Sequence, residues 1–225
     1  MENFNPAELF SKVFPFWSSM GDIDKQTFIN SSQAVHFERG TNIHDGNECT
    51  GVILVRTGSL RLYILSEDGK EITLYRIFAG GICMLSASCV LNSITFDVFI
   101  DSEEESDCIV VGGCAYAEMA ERIPEVKIFA LESAVSRFSD VMWVMQQILF
   151  MSMDKRLAIF LLDESAKNGS DIIKLTHEQI AKYMGSAREV VSRMLKYFAT
   201  EGIVESSRSG GIKLLDKKRL RALSL

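Results

Sequence analysis

The chain has 225 residues, of which 47% are hydrophobic and 24% charged, and its formal net charge is −6. That length allows one large domain or two small ones, no apolar run approaches the ~20 residues of a bilayer span, and the start Met-Glu-Asn-Phe-Asn-Pro has no basic and apolar stretches of a secretion signal. Five cysteines without a CxxC pair argue against a disulfide framework and for a reducing cytoplasm.

Residues 4–31 read as helical and mixed, with Phe10, Phe14, Phe16, Trp17 and Phe28 as packing material and Gly21-Asp22 as punctuation. From Val35 to about Cys114 the pattern changes to short alternating runs between glycines, the spacing of antiparallel strands. Gly51 to Gly58 is one strand. Ser59–Leu65 alternates, with Leu60, Leu62 and Ile64 on one face, and Glu67-Asp68-Gly69 is a hairpin turn leading to Glu71–Phe78. Ile94–Ile100 and Cys108–Val111 supply the last strands of a small β-roll, and the acidic run Ser102–Asp107 between them reads as a solvated turn.

From Tyr116 to about Ala166 the period is helical, with Pro124 starting or kinking the long element. Ile128, Leu131, Val135, Phe138, Met142, Met145 and Leu149 then recur at alternating spacings of three and four. An a/d seam of that length predicts a coiled-coil dimer interface. Asp154–Lys167 is a second helix, ended by Lys167-Asn168-Gly169-Ser170.

Thr176–Gly202 reads as two short helices joined by a tight turn. Thr176 with Gln179, and Ser186 with Glu189, form two capping boxes ten residues apart; Glu189 falls at the third position of its helix. Gly185 suits the sharp turn between them. Ile180, Ala181, Met184, Val191 and Leu195 form the shared core, and Gly202 is the C′ stop. The second helix then exposes Ser186, Arg188, Glu189, Ser192 and Arg193. Arg can reach guanine O6 and N7, and Glu can accept from cytosine N4, so this face is suited to reading a major groove. Arg188, Glu189, Ser192 and Arg193 are the base-reading candidates; Thr176, Ser186, Lys182, Lys196, Arg208 and Lys213 are the phosphate candidates. Gly202–Leu215 reads as a two-stranded wing around Ser209-Gly210-Gly211, and Asp216–Leu225 as a basic tail helix. The charge agrees: residues 154–225 carry 14 Lys and Arg against 9 Asp and Glu, a net of +5, while the rest carries 10 against 21, a net of −11. A basic third on an acidic body points to a polyanion partner for that third.

A glycine-punctuated roll, a heptad helix and a winged helix-turn-helix together resemble the Crp/Fnr family of bacterial transcription regulators. The segment Ser186-Ala-Arg-Glu-Val-Val-Ser-Arg193 is similar to the family's recognition-helix signature. Glu189, Ser192 and Arg193 match the Fnr branch, and Arg188 matches the cyclic-AMP receptor branch. The resemblance implies an α+β fold: a cyclic-nucleotide-binding-like β-roll (jelly roll) sensor over residues 1–118, a dimerisation helix over 119–152 and a winged helix-turn-helix over 153–225. It implies a cytoplasmic homodimer on palindromic double-stranded DNA, acting with RNA polymerase and without a membrane, in which an event in the roll shifts the dimer helix and re-aims the recognition helices.

The sequence departs from these relatives in the roll. Where the family's cyclic-nucleotide cassette carries a Gly-Glu pair and an Arg-Ser/Thr pair, this chain reads Gly80-Gly-Ile-Cys-Met-Leu-Ser-Ala-Ser-Cys-Val-Leu91, and no Arg occurs between Arg76 and Arg122. A cyclic phosphate would lack its counter-charge, so cyclic AMP is not expected. The first cysteine is Cys49, so an Fnr-type iron–sulfur cluster is not expected either. Haem is compatible with His36, His44 or a cysteine, although both histidines read as strand or turn residues facing water. The effector-pocket candidates are Ile82, Cys83, Met84, Leu85, Ser86 and Cys89. The cysteines are either small buried packing groups or a thiol sensor, which would require Cys83 or Cys89 to be exposed with a depressed pKa. A ligand-binding or thiol/metal redox module with a vestigial helix-turn-helix is the alternative reading. No Ser-His-Asp order, phosphate loop or metal-ligand histidine spacing is present, so no catalytic or metal-ligating residue is assigned and no enzyme is expected.

Overall fold

The computed structural model describes residues 6–46, 49–87, 97–206 and 211–225. The chain divides into two compact units, one of residues 1–65 and 74–141, the other of residues 66–73 and 142–225.

The first unit opens with α1 (Pro6–Val13), a 3-10 turn (Pro15–Ser19) and α2 (Asp22–Asn30). Among the described residues eight strands follow: β1 (Ser32–Phe37), β2 (Asn42–His44), β3 (Val52–Thr57), β4 (Ser59–Leu65), β5 (Glu71–Phe78), β6 (Ile82–Cys83), β7 (Phe99–Ser102) and β8 (Ser106–Val111). They form two four-stranded sheets, ordered β1-β8-β3-β6 and β2-β7-β4-β5. Then come α3 (Gly113–Arg122) and α4 (Pro124–Phe150), which Pro124 begins rather than kinks. Within the expected stretch Ile94–Ile100, residues 94–96 lie outside the described residues, and the strand observed is β7.

The strand pattern explains the two layers of core. Successive side chains of a strand point to opposite faces, and β3 and β8 are buried on both. Val52, Leu54, Ile109 and Val111 face an aromatic layer of Phe10, Phe14, Trp17, Phe28 and Tyr116. Ile53, Val55, Cys108 and Val110 face the roll interior, where they meet Leu60, Leu62 and Ile100 of the other sheet. The runs are therefore continuously apolar, as strands buried on both faces require.

Three expectations for this unit are corrected. The acidic run is a tight, hydrogen-bonded connection: the Ser102 and Ser106 hydroxyls both donate to the Glu104 carbonyl, at 2.6 and 2.8 Å. Glu103 is nearly buried and accepts from Arg76 Nε at 2.6 Å. A carboxylate placed there is matched by a guanidinium from β5, a partner distant in sequence. His44 does not face water but is buried beside Thr50, at 2.8 Å. Cys49 is exposed and disulfide-bonded rather than a free thiol.

The second unit contains α5 (Met153–Asn168), β9 (Ile172–Ile173), α6 (His177–Met184), α7 (Arg188–Thr200), β10 (Val204–Ser206), β11 (Ile212–Leu214) and α8 (Lys217–Ser224). Its sheet is ordered β10-β11-β9, all antiparallel. β9 is an element that the sequence pattern did not reveal, because two residues are too short to show alternation. Gly211 lies where a Cβ would meet the Ile173 carbonyl, so only glycine lets β11 approach β9 this closely. The core joins Leu157 and Leu161 of α5, Ile180 and Met184 of α6, and Val191, Leu195 and Phe198 of α7. None of the helices among the described residues is long and apolar enough to cross a membrane.

Candidate nucleic-acid interface

The helix-turn-helix is built by its caps. The Gln179 amide donates to Thr176 Oγ1 at 3.1 Å, and the Thr176 amide donates to Gln179 Oε1 at 2.9 Å. This is the first expected capping box, and it defines the start of α6. Gly185 ends α6 at φ +58°, a left-handed conformation in which L residues lose about 1–2 kcal/mol. Arg156, from α5, donates to the Met184 carbonyl and so ties the turn to the helix beneath it.

The second expected capping box is not formed. α7 starts at Arg188, its N-cap is Ala187, and no side chain caps it. The Ser186 hydroxyl points to Met153 Sδ at 3.8 Å instead. Glu189 therefore sits at the second helical position, not the third. The left-handed turn at Gly185 consumes one residue more than the capping-box spacing allows.

On α7, Val191, Leu195 and Phe198 are buried while Arg188, Glu189 and Arg193 are exposed and Ser192 is half-buried. Positions 188, 189, 192 and 193 lie along one stripe at helical spacing. Among the described residues, Arg188, Glu189 and Arg193 engage no hydrogen-bonding or ionic partner. Ser192 Oγ shares a hydrogen bond with His177 Nδ1 at 2.9 Å. His177 is the first residue of α6 and was missed in the sequence; its neighbour Thr176 carried the motif, and 177 and 192 have no periodic relation.

The phosphate candidates divide by their present partners. Lys196 is exposed and unpaired among the described residues. Lys182 lies 3.4 Å from Glu71 and Lys213 lies 3.0 Å from Glu205. Both are surface pairs, worth roughly 0–1 kcal/mol, which a phosphate can displace. Thr176 Oγ1 is held in the cap, and Arg208 lies outside the described residues. In the tail helix, Lys217 pairs with Asp171 and Arg219 with Glu201, leaving Lys218 and Arg221 without partners among the described residues.

On α4, the seven seam residues Ile128, Leu131, Val135, Phe138, Met142, Met145 and Leu149 are 44–66% exposed, whereas Val126 and Ala130 are buried. Trp143, Ile148 and Phe150 add further exposed apolar surface. In the roll, the effector candidates separate. Cys83 and Leu85 belong to the interior between the sheets, Met84 belongs to the aromatic layer, and Ser86 is buried and donates to the Gly51 carbonyl at 2.6 Å. Ile82 and Met84 line a cleft, and Cys89 lies outside the described residues. Burial pushes the Cys83 thiol up and the Cys108 thiol up to about 12, the reverse of what a sensing thiolate needs. His36 is exposed on β1 and its pKa is raised by the hydrogen bond to Asp107.

Residues 155–223 match the model of the Crp-like helix-turn-helix domain. The transcriptional regulator SdrP of Thermus thermophilus is 31% identical over 181 residues, covering 76% of this chain and 82% of that protein. The transcriptional activator protein Anr of Pseudomonas aeruginosa is 24% identical over 187 residues, 80% of this chain and 75% of that protein. A crystal structure of a Crp/Fnr-family transcriptional regulator from Eubacterium rectale superposes with a TM-score of 0.89 at 44% identity, covering 95% of this chain and 99% of that one. The chain belongs to the Crp/Fnr family of DNA-binding transcriptional regulators.

Proposed function

We propose that this regulator acts as a cytoplasmic homodimer that reads a palindromic duplex, under the control of a signal received in its N-terminal unit. The observation that carries the reading is the stripe on α7, where Arg188, Glu189 and Arg193 stand exposed and uncommitted beside Ser192. Buried or paired side chains at these positions would have no free donors and acceptors for base edges. The exposed apolar seam of α4 supports the dimer, since an amphipathic helix leaves such a stripe in water only at a cost of about 25 cal/mol per Å². Two recognition helices related by a two-fold axis match half-sites about one helical turn apart. The family resemblance supports a contact with RNA polymerase. Cyclic AMP is a poor candidate for the signal, because Tyr75, Cys83 and Leu85 fill the roll interior.

The test is selection of duplexes from a randomised pool, followed by competition binding. Enrichment of a palindrome by the wild-type chain, lost in Arg193→Ala, is expected. Equal binding to palindromic and scrambled duplexes would remove the reading.

A second reading of the signal is favoured by the disulfide at Cys49, an exposed residue. Here two-electron reduction would change DNA affinity. A difference between reduced and oxidised wild-type protein that Cys49→Ser abolishes would support it, and identical affinities would exclude it.

A further inference from the structure

We propose that the cleft between α1, the β5–β6 turn and α4 is a binding site for a small organic monocarboxylate with an apolar body. The cleft measures about 630 Å³ and lies wholly within the first unit. Its size is within the ~300–1,000 Å³ of small-molecule pockets, which combine an apolar lining with a few convergent polar groups. The apolar part comes from Val13, Ile82, Met84 and Phe129. The polar part comes from Glu132, Ser133, Ser136 and Arg137 of α4 and from Lys12 of α1.

These polar groups are available. Neither serine hydroxyl has a partner among the described residues. Arg137 uses Nη1 for Asp140, at 2.8 Å, which leaves its other N–H groups uncommitted. Its guanidinium lies 4.8 Å from the Tyr75 ring centroid, so it is already oriented before a ligand arrives. A planar guanidinium with free N–H groups is the side chain best suited to hold a carboxylate.

The surrounding charge sets the class of anion. Lys12 at the rim is paired with Glu8 at 2.7 Å, and Arg137 is paired with Asp140. Glu132 also lines the cleft and has no partner among the described residues. Of the three carboxylates only Glu132 lines the cleft, and Glu8 and Asp140 offset the two cations from outside it. A nucleotide or a polyphosphate would meet net repulsion, whereas one carboxylate can exchange hydrogen bonds with Arg137 and the serines while its body covers Phe129 and Met84.

The position suggests how such a ligand would act. At about 100° per residue, Phe129, Ser133, Ser136 and Arg137 lie roughly 165° around α4 from Ile128, Leu131, Val135 and Phe138. One helix therefore presents the cleft on one side and the exposed apolar seam on the other. A ligand can change the setting of the seam without being covered by a second copy. This coupling rests on the reading of α4 as a dimer helix; binding itself does not.

The test is calorimetric titration of the full, DNA-free chain with phenylacetate and octanoate, against 2-phenylethanol and 1-octanol as neutral counterparts. At least one acid is expected to bind saturably, about tenfold or more tighter than its alcohol, and Arg137→Gln is expected to remove that preference. Ser133→Ala with Ser136→Ala should weaken acid binding without disturbing the Arg137–Tyr75 contact, and it decides the matter if Arg137→Gln misfolds by circular dichroism. No saturable binding of either acid, equal binding of acid and alcohol, or acid binding unchanged in the folded variants would each overturn the proposal. Duplex selection without acid is read separately, so loss of DNA selectivity alone would leave the site standing.

Discussion

His177 Nδ1 and Ser192 Oγ are 2.9 Å apart, which joins the first residue of α6 to the exposed polar stripe on α7. The hydroxyl can present only one polarity at a time. If Nδ1 carries no proton, Ser192 donates to it and offers lone pairs to a base donor. If Nδ1 is protonated, it donates to Ser192, whose own proton is then free for a base acceptor. His177→Ala releases this choice. Selectivity at the base pair facing Ser192 is expected to fall about 3- to 10-fold, within the range for single polar contacts, with selectivity at the Arg193 position retained. Selection from randomised half-sites measures both.

Arg193→Ala and Lys196→Ala separate reading from attraction. The first should cost about 1–3 kcal/mol of discrimination at one base pair and leave weak, salt-sensitive binding. The second should weaken all duplexes alike and reduce the slope of log affinity against log salt by about one. Affinity measured at several salt concentrations for cognate and scrambled duplexes distinguishes the two patterns.

Val135→Asp and Phe138→Asp are expected to yield a folded monomer, because both side chains are about two-thirds exposed and take no part in the cores of the first unit. Sedimentation equilibrium should show half the wild-type mass, and binding to a full palindrome should drop toward that of a single half-site. A dimeric Phe138→Asp protein would place the interface elsewhere.

Phe28→Ala should destabilise the first unit by about 3–5 kcal/mol. Phe28 is fully buried and packs edge-on against Phe10 and Phe14, with ring centroids 5.1 and 5.3 Å away. Urea unfolding of wild-type and variant chains gives the difference directly.

The stability of the first unit should fall in mild acid through His44. Burial lowers its pKa, so the folded state disfavours the charged ring while the unfolded chain titrates near 6.5. The unfolded state thus binds more protons below about pH 6.5, and stability is lost as pH falls from there through the lowered folded pKa. His36 acts with the opposite sign, since its raised pKa favours the folded state as it becomes protonated. The comparison is therefore between wild type and His44→Asn, whose unfolding free energies should converge as pH drops from about 7 to 5.

The second unit was largely legible in the sequence because its signals are local. The capping box at Thr176, the glycine at 185, the core spacing of Ile180, Met184, Val191 and Leu195, and the stop at Gly202 each act within one or two helical turns. The a/d stripe of α4 was legible for the same reason. Where two local signals competed, sequence reading failed: Ser186 and Glu189 have capping-box spacing, but the left-handed residue before them delays the helix. The roll was legible as strands between glycines, yet its polar interior was not. Glu103 looked solvated because its partner Arg76 lies on another strand, and His44 looked exposed because nothing nearby in the chain buries it.

Alone, the sequence determined most of the helices and the residues of α7 that stand exposed, since these follow from periodicity and capping over short separations. Tertiary structure alone decided which candidate side chains share a cavity. It sent Cys83 and Leu85 into the roll interior while bringing Ile82 and Met84 beside Ser133 and Arg137. The pleat turns neighbouring residues of one strand to opposite faces, and what each face meets is set by segments some fifty residues away.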